Sequence, residues 1–353
     1  YKIAAFLSKN KSATISKGII PKNKSQSMIE RILLFIRGNL FIPDSRKNWV
    51  NPSVLYLDSF MSEYNVDTVI TTGPPHSMHL IGLKLKKLKN IKWIADFRDP
   101  WTSIGYHKQL KLTKSSLKKH SLLEDKVLNH ADKIIVTSTI TKQEFEEKTN
   151  KPIIVITNGY DTISIEKPKL DSKFSLAHIG SLLSRRNPEA LWFVLSELIN
   201  EHSDFANNFE LTLVGYVSDD VLNLLDSYGL SDYINNVGYV PHKESIVFQK
   251  KSQVLLLIEI DDPDTRCIIP GKLFEYLVSE RPIISLGPKG SNVEDILKET
   301  NTGKYFYYDA YKTLKDTILE YYFSYTNGQL QSHGIGLDKY SRKALTKKLA
   351  ELI

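Results

Sequence analysis

Short apolar runs of strand character alternate with helix-length segments along most of this chain, in two separate series. In the first, strands are expected at residues 68–72, 92–95, 133–137 and 153–156. Between the first two, Ile81, Leu85 and Leu88 fall at i, i+4 and i+7, which is a helical spacing. Leu117, Leu122, Leu123, Val127 and Leu128 mark the next helix. Thr141 and Glu144 have the spacing of a capping box for the one after it. The second series is more complete, with strands at residues 175–179, 210–214, 234–238, 254–258, 282–286 and 304–307. Its first helix reads as N-capped by Asn187 with Pro188 at the first position, burying Leu191, Val194, Leu195, Leu198 and Ile199. Short apolar strands separated by helices imply parallel sheets covered on both faces. The chain is therefore expected to be α/β, with two doubly wound domains facing across a cleft.

The join is expected near Asn158-Gly159-Tyr160-Asp161 and the polar stretch 164–173. That places one domain at residues 1–158, a second at 159–325, and a helical segment at 326–353 that crosses back to the first. The first domain is short of strands. Residues 28–36 and 53–64 read as helices, and residues 8–27 as a polar loop. A doubly wound domain normally starts with a strand and a glycine-rich turn. Neither is found in residues 1–65, so the expectation is a first domain truncated at its N-terminus.

No apolar run approaches the roughly 20 residues that span a bilayer, and no secretory signal opens the chain. A single cysteine, Cys267, excludes an intrachain disulfide and suits a reducing cytoplasm. The net charge of +7 suits an anionic partner. Lys84, Lys86, Lys87 and Lys89 form one basic run, and a second extends from Lys108 to Lys119. Nucleic-acid motifs are absent, which leaves a nucleotide or the surface of an anionic bilayer as the partner. The nine His and one Cys have no metal-ligand spacing, and Asp261-Asp262-Pro263-Asp264 lacks the pattern of a calcium loop, so no metal site is expected.

Ligands of open α/β sheets bind outside the carboxyl ends of the strands. Four loops qualify. Gly73-Pro74-Pro75-His76-Ser77 is a rigid turn that aims His76 either at the cleft or at a helix cap. Asp96-Phe97-Arg98-Asp99-Pro100-Trp101 sets two carboxylates around an arginine directly after a strand. In the loop 180–187, Gly180 lets a ligand approach the backbone, and Arg185 or Arg186 can fork onto a diphosphate. In Pro270-Gly271-Lys272-Leu273-Phe274-Glu275, a helix opens with Lys272 and Glu275 on one face. Its N-terminal N–H groups suit an anion, and a carboxylate suits hydroxyls such as those of a ribose. Two phosphate-grade loops at one end of one sheet make a nucleoside diphosphate the expected ligand.

Together, Pro270 to Leu277, Asn158 to Asp161, Ile179-Gly180-Ser181-Leu182, Ala95 to Trp101 and Thr72 to Leu80 resemble the retaining GT-B glycosyltransferases of the family-4 type, in particular bacterial members acting in cell-surface polysaccharide assembly. The resemblance covers residues 40–353. It implies two Rossmann-like domains, the second binding a nucleotide-sugar and the first a glycan or lipid-linked acceptor, with no metal and no cofactor. It implies Arg186 and Lys272 at the departing diphosphate, Glu275 on the ribose, and Tyr239 and Val240 at the base through their backbone. Asp96 falls where such enzymes place a donor-contacting group. Gly180, Arg185, Ile269 and Gly271 complete the donor side, and His76, Arg98 and Asp99 the acceptor side. The implied location is cytoplasmic, peripheral at the inner membrane face.

The chain departs from the family's E-x7-E pair, because eight residues before Glu275 stands Cys267. Either Asp264 or Glu259 takes the sugar contact, or backbone amides at residues 267–269 do. The alternatives are a nucleotide-sugar epimerase of the same fold and a donor-binding partner protein without activity.

Overall fold

The computed structural model describes residues 28–353 apart from residue 104 and residues 162–167. The loop expected at 8–27 and the first residues of the expected linker lie outside the described residues. Helices α1 (Met28–Leu40) and α2 (Val50–Glu63) lead into β1 (Thr68–Gly73), α3 (Ser77–Leu88), β2 (Lys92–Phe97), α4 (Lys114–His130), β3 (Lys133–Val136), α5 (Thr139–Glu146) and β4 (Ile153–Val155). The four strands form one parallel sheet in the order β1-β2-β3-β4. Successive side chains of a strand point to opposite faces. Trp93, Ala95 and Phe97 therefore pack with Val127, Leu128 and Phe145 on one side. Ile94 and Ile135 face the other, where Leu345, Leu349 and Leu352 from the chain's end cover them.

The second domain runs β5 (Phe174–Ile179), α6 (Glu189–Glu201), α7 (Ser203–Asn208), β6 (Phe209–Val214), α8 (Asp219–Ser227), β7 (Ile234–Gly238), α9 (His242–Lys251), β8 (Val254–Ile258), α10 (Gly271–Leu277), β9 (Ile283–Leu286), α11 (Asn292–Thr300), β10 (Gly303–Phe306) and α12 (Tyr311–Thr326). Its parallel sheet has the order β10-β9-β8-β5-β6-β7. Val254, Leu256 and Ile258 of β8 point toward Leu191, Leu195 and Leu314, while Leu255 and Leu257 point toward Leu273, Phe274 and Val293. Fully burying each such aliphatic contributes roughly 1.5–3 kcal/mol. The first strand of this domain, β5, lies between β6 and β8, so the winding reverses there. The crevice at the carboxyl ends of β5 and β8 is the place where such a sheet takes a ligand.

The last helix, α13 (Arg342–Ala350), follows a short contact with the join between the domains. Tyr160 N–H donates to Tyr340 O at 3.1 Å and Arg342 N–H to Tyr160 O at 2.9 Å. A Cβ on Gly159 would lie 2.4 Å from Tyr340 O, so only glycine fits that crossing. The domains also touch across the cleft mouth, where Asn292 Nδ2 donates to Thr139 Oγ1 at 2.6 Å.

Two expected helix starts are corrected. Thr141 does not cap α5; Ser138 does, accepting from Thr141 N–H at 3.2 Å, and Thr141 itself is buried. Pro188, not Asn187, is the N-cap of α6, and Asn187 Oδ1 accepts from Trp192 Nε1 at 2.7 Å instead. In both places a tertiary or neighbouring partner took the side chain that local spacing had assigned. Leu88, Leu117 and Leu122 also face solvent despite their helical spacing.

Candidate functional site

The reversal of winding brings Gly180, at the end of β5, over the start of α10. Gly180 has φ +119°, a conformation that strains any side chain. A Cβ there would sit 3.4 Å from Lys272 Nζ. The ammonium of Lys272 reaches under this turn, donating to Ile179 O at 2.9 Å, with His178 Nε2 at 3.3 Å. Tyr276 supports the same turn by accepting from Ile179 N–H at 3.1 Å. Lys272 makes no ion pair among the described residues. Burial brings its pKa down to about 7, with the nearby Arg186 cation adding to the effect. Burial also lowers the pKa of His178, followed by Lys272 and Arg186.

Arg186 is the second cation of the crevice. Its Nε is buried without a hydrogen-bond partner among the described residues. Burial lowers its pKa, opposed by Tyr308 and Glu259. Arg186 is thus close enough to Lys272 to disfavour its charge, and its own Nε is unpaired among the described residues, an arrangement that costs stability unless an anion arrives. Arg185 behaves differently, because Asp262 Oδ2 already holds its Nη2 at 3.1 Å.

Glu259, just beyond β8, closes the other side of the crevice. Its Oε1 accepts from Ser291 Oγ at 2.9 Å and its Oε2 from Tyr305 OH at 2.7 Å. Burial raises its pKa to about 7. Both oxygens of this candidate sugar contact are therefore engaged within the domain. Asp264 N–H donates to Asp262 Oδ1 at 3.0 Å, and a Cβ on Gly105 of the first domain would meet Asp264 Cβ at 3.6 Å. Cys267 is buried at the same interdomain position, its thiol pKa raised first by burial and also by Glu144 and Asp99 of the first domain.

Lys272 and Glu275 do not share a neighbourhood, contrary to the expectation of one common face. Lys272 turns toward Gly180, whereas Glu275 turns toward α9. There His242 Nε2 lies 2.8 Å from its Oε1, and Gln249 Nε2 donates to its Oε2 at 2.7 Å. Tyr239 is exposed, Val240 packs on the α10 face, and Gly238 before them has φ +77°. Ile269 is buried, and a Cβ on Gly271 would meet nothing within 4 Å.

On the first domain, Asp96 lies beside Arg98, with Oδ1 3.9 Å from Nη1. Burial raises the pKa of Asp96 and of Asp99, and Arg98 opposes it in both. Arg98 also bonds Asn158 at the join, which spacing along the sequence did not indicate. The expectation that His76 faces the cleft is corrected. Its imidazole is 2% exposed and stacks on Trp101 at 4.8 Å, as the N-cap residue of α3. His79, His107 and His120 lie around it, and burial holds its pKa well below the usual value.

Sequence reasoning missed His178, Tyr276, His242 and Gln249. His178 had a legible signal: an imidazole within a buried strand, two positions before a glycine. The other three become visible only through contacts across the fold.

Residues 20–163 match the family model described as Glycosyltransferase Family 4. Comparison with curated proteins gives no match. Among solved structures, Anabaena HepE in complex with UDP aligns with TM-score 0.62 at 13% identity, over 85% of this chain and 81% of that one. Sucrose-phosphate synthase from Thermosynechococcus elongatus gives TM-score 0.60 at 14% identity, over 87% and 78%. The apo lipopolysaccharide outer core galactosyltransferase WaaB gives 0.56 at 15% identity, over 84% and 78%. At these identities the likeness is one of fold. The fold is GT-B. The two-domain α/β expectation is thereby met, and the family match on a GT-B frame supports a transferase enzyme of the glycosyltransferase class.

Proposed function

We propose that this GT-B chain transfers a sugar from a nucleoside diphosphate to a glycan or lipid-linked acceptor, with retention at the anomeric carbon and without a metal. The observation that carries the reading is Lys272 buried under Gly180 with no ion pair among the described residues, with the Arg186 cation near it and the Arg186 Nε unpaired among those residues. The anomeric C–O bond breaks with its electron pair moving to the β-phosphate oxygen. Charge therefore develops on the leaving group, where the two cations stabilise it. The acceptor hydroxyl attacks from the same face, its oxygen bonds the anomeric carbon, and its proton passes to the departing phosphate. Asp96, Arg98 and Asp99 line the acceptor side, Gly180, Ile269 and Gly271 give the donor backbone access, and Arg185 is placed by Asp262 at its margin. Tyr239 and Val240 offer backbone groups to the base, and Glu275 its carboxylate to the ribose. Closure of the domains excludes water and protects the donor from hydrolysis.

A cell-surface polysaccharide as product, and work at the cytoplasmic face of an anionic membrane, belong to the same proposal. Among the described residues no helix is long and apolar enough to cross a membrane. Helix α1 nevertheless exposes Met28, Ile29, Ile32, Leu33 and Phe35, and α2 exposes Leu55 and Tyr56. Arg31 and Arg37 stand among the apolar residues of α1, a combination that suits anionic headgroups.

The test is a thermal-shift series with nucleoside diphosphates and nucleotide-sugars. A ligand at 100 times its Kd adds about 2.7 kcal/mol. No shift with any nucleoside diphosphate overturns the donor site, and interconversion of nucleotide-sugars without an acceptor replaces transfer by epimerisation.

A further inference from the structure

Glu275 stands on α10 with its carboxylate held between two residues of the neighbouring helix. His242 and Gln249 open and near the end of α9, seven residues and about 10 Å apart along the axis. Both nonetheless reach the same side chain, one to each oxygen, at 2.8 and 2.7 Å. Gln249 is 2% exposed, so its amide is a buried donor committed to that carboxylate. The His242 side chain is 64% exposed and sits at the rim. Over this arrangement lies a cavity of about 170 Å³, whose walls also include Gly159, Tyr160, Ile246 and Arg342.

A carboxylate that served only to tie α9 to α10 would need no open space beside it, and an apolar pair would make the tie without burying a polar amide. Here the carboxylate faces a cavity. Each oxygen has accepted one hydrogen bond and keeps capacity for another. With both oxygens located, the rotamers of a long side chain are already restricted before a ligand arrives. A vicinal diol, with two adjacent O–H donors, is a group that one carboxylate can bond through both of its oxygens.

We propose that Gln249 and His242 are positioning residues that fix the Glu275 carboxylate as a preformed acceptor for the 2′- and 3′-hydroxyls of the donor's ribose. This rests on the donor site proposed above. The pair makes the site selective for ribonucleotides: hydroxyls that bond a fixed charged acceptor are worth about tenfold or more each. Gln249 sets the plane of the carboxylate from inside, and His242 restricts its swing at the rim.

The experiment compares binding of UDP, GDP and ADP, each against its 2′,3′-dideoxy counterpart, by calorimetry on the wild-type chain and on Glu275→Ala, Gln249→Leu, His242→Ala and His242→Gln. The expected wild-type preference for the ribo form is tenfold or more with the diphosphate that binds. Glu275→Ala abolishes it. Gln249→Leu reduces it to a few-fold while leaving dideoxy affinity unchanged, His242→Ala reduces it partway, and His242→Gln, which keeps a donor, restores most of it. A structural tie alone would lower the ligand-free melting temperature and leave the ratio untouched, and that result overturns the inference. Should Gln249→Leu fail to fold, the exposed His242 variants decide by the same ratio. If the wild type binds a nucleoside diphosphate with no ribo preference, only this inference falls. If it binds none, the donor site falls as well.

Discussion

Donor affinity should depend on pH through Lys272. In the ligand-free protein the Lys272 ammonium is buried beside Arg186 and its pKa lies at about 7. Its partners are a backbone carbonyl and a neutral imidazole, Ile179 O at 2.9 Å and His178 Nε2 at 3.3 Å. An arriving diphosphate supplies the missing negative charge, so bound donor raises this pKa and binding draws a proton onto the amine. Above the ligand-free pKa, each pH unit then costs about tenfold in affinity, because a larger share of the protein must first be protonated. From pH 7 to pH 9 the ratio of the two unprotonated penalties is about fiftyfold. The terminal phosphate loses its last proton near pH 6, so it contributes little slope in this window. Lys272→Met keeps the side chain's length and removes the titration. The variant should bind nucleoside diphosphate weakly with a flat profile, and its kcat should fall about 10²- to 10³-fold, as when one donor to a developing oxyanion is lost. Ligand-free stability runs the other way. The unfolded lysine holds its proton to about pH 10 and the folded one releases it near 7, so wild-type stability rises with pH between those values. Calorimetric titration with UDP at pH 7, 8 and 9 checks the argument, and an unchanged affinity, or an equal slope in Lys272→Met, refutes it.

Glu259 has the opposite sign: its folded pKa of about 7 exceeds the unfolded value, so it loses stability for the protein as pH rises from about 4.5 to 7. Glu259→Gln should flatten that part of a melting-temperature profile measured from pH 5 to 7.5. His76→Phe, which keeps the stack on Trp101 and removes two buried ring nitrogens that have no hydrogen-bond partner among the described residues, should leave donor KM unchanged and the melting temperature equal or higher. Cosedimentation with anionic vesicles should be strong in low salt and fall several-fold in Ile32→Glu with Leu55→Glu, both now exposed. Binding equal to wild type removes the membrane contact, and a monomer replacing a dimer in the double variant assigns the face to a second copy of the chain.

The strands were legible because a buried parallel strand has no choice of composition: the run 254–258 is apolar at every position and becomes β8 with the same ends. The Gly180 turn was legible for a steric reason, since a backbone at φ +119° next to a lysine leaves glycine as the residue that fits. Side-chain destinations were not legible at the same level. Lys272 and Glu275 are three residues apart on one short helix, yet one reaches Ile179 O and the other His242 and Gln249. Spacing along a helix fixes directions around an axis, and the neighbours that fill those directions arrive from distant parts of the chain. His76 shows the same limit, because a rigid turn names the residue at the cap, while Trp101 decides that its ring is buried.

Sequence alone determined two parallel-sheet units, the residues of the glycine turn and the candidate cations, since these follow from burial, backbone sterics and charge. Only the tertiary structure decided that β5 lies between β6 and β8, and so which loops face one another. It alone placed Lys272 near Arg186, with no ion pair for Lys272 among the described residues, and set α9 against Glu275. Those outcomes depend on strand order and helix packing, where the free energy belongs to contacts between residues a hundred positions apart, and no local pattern carries it.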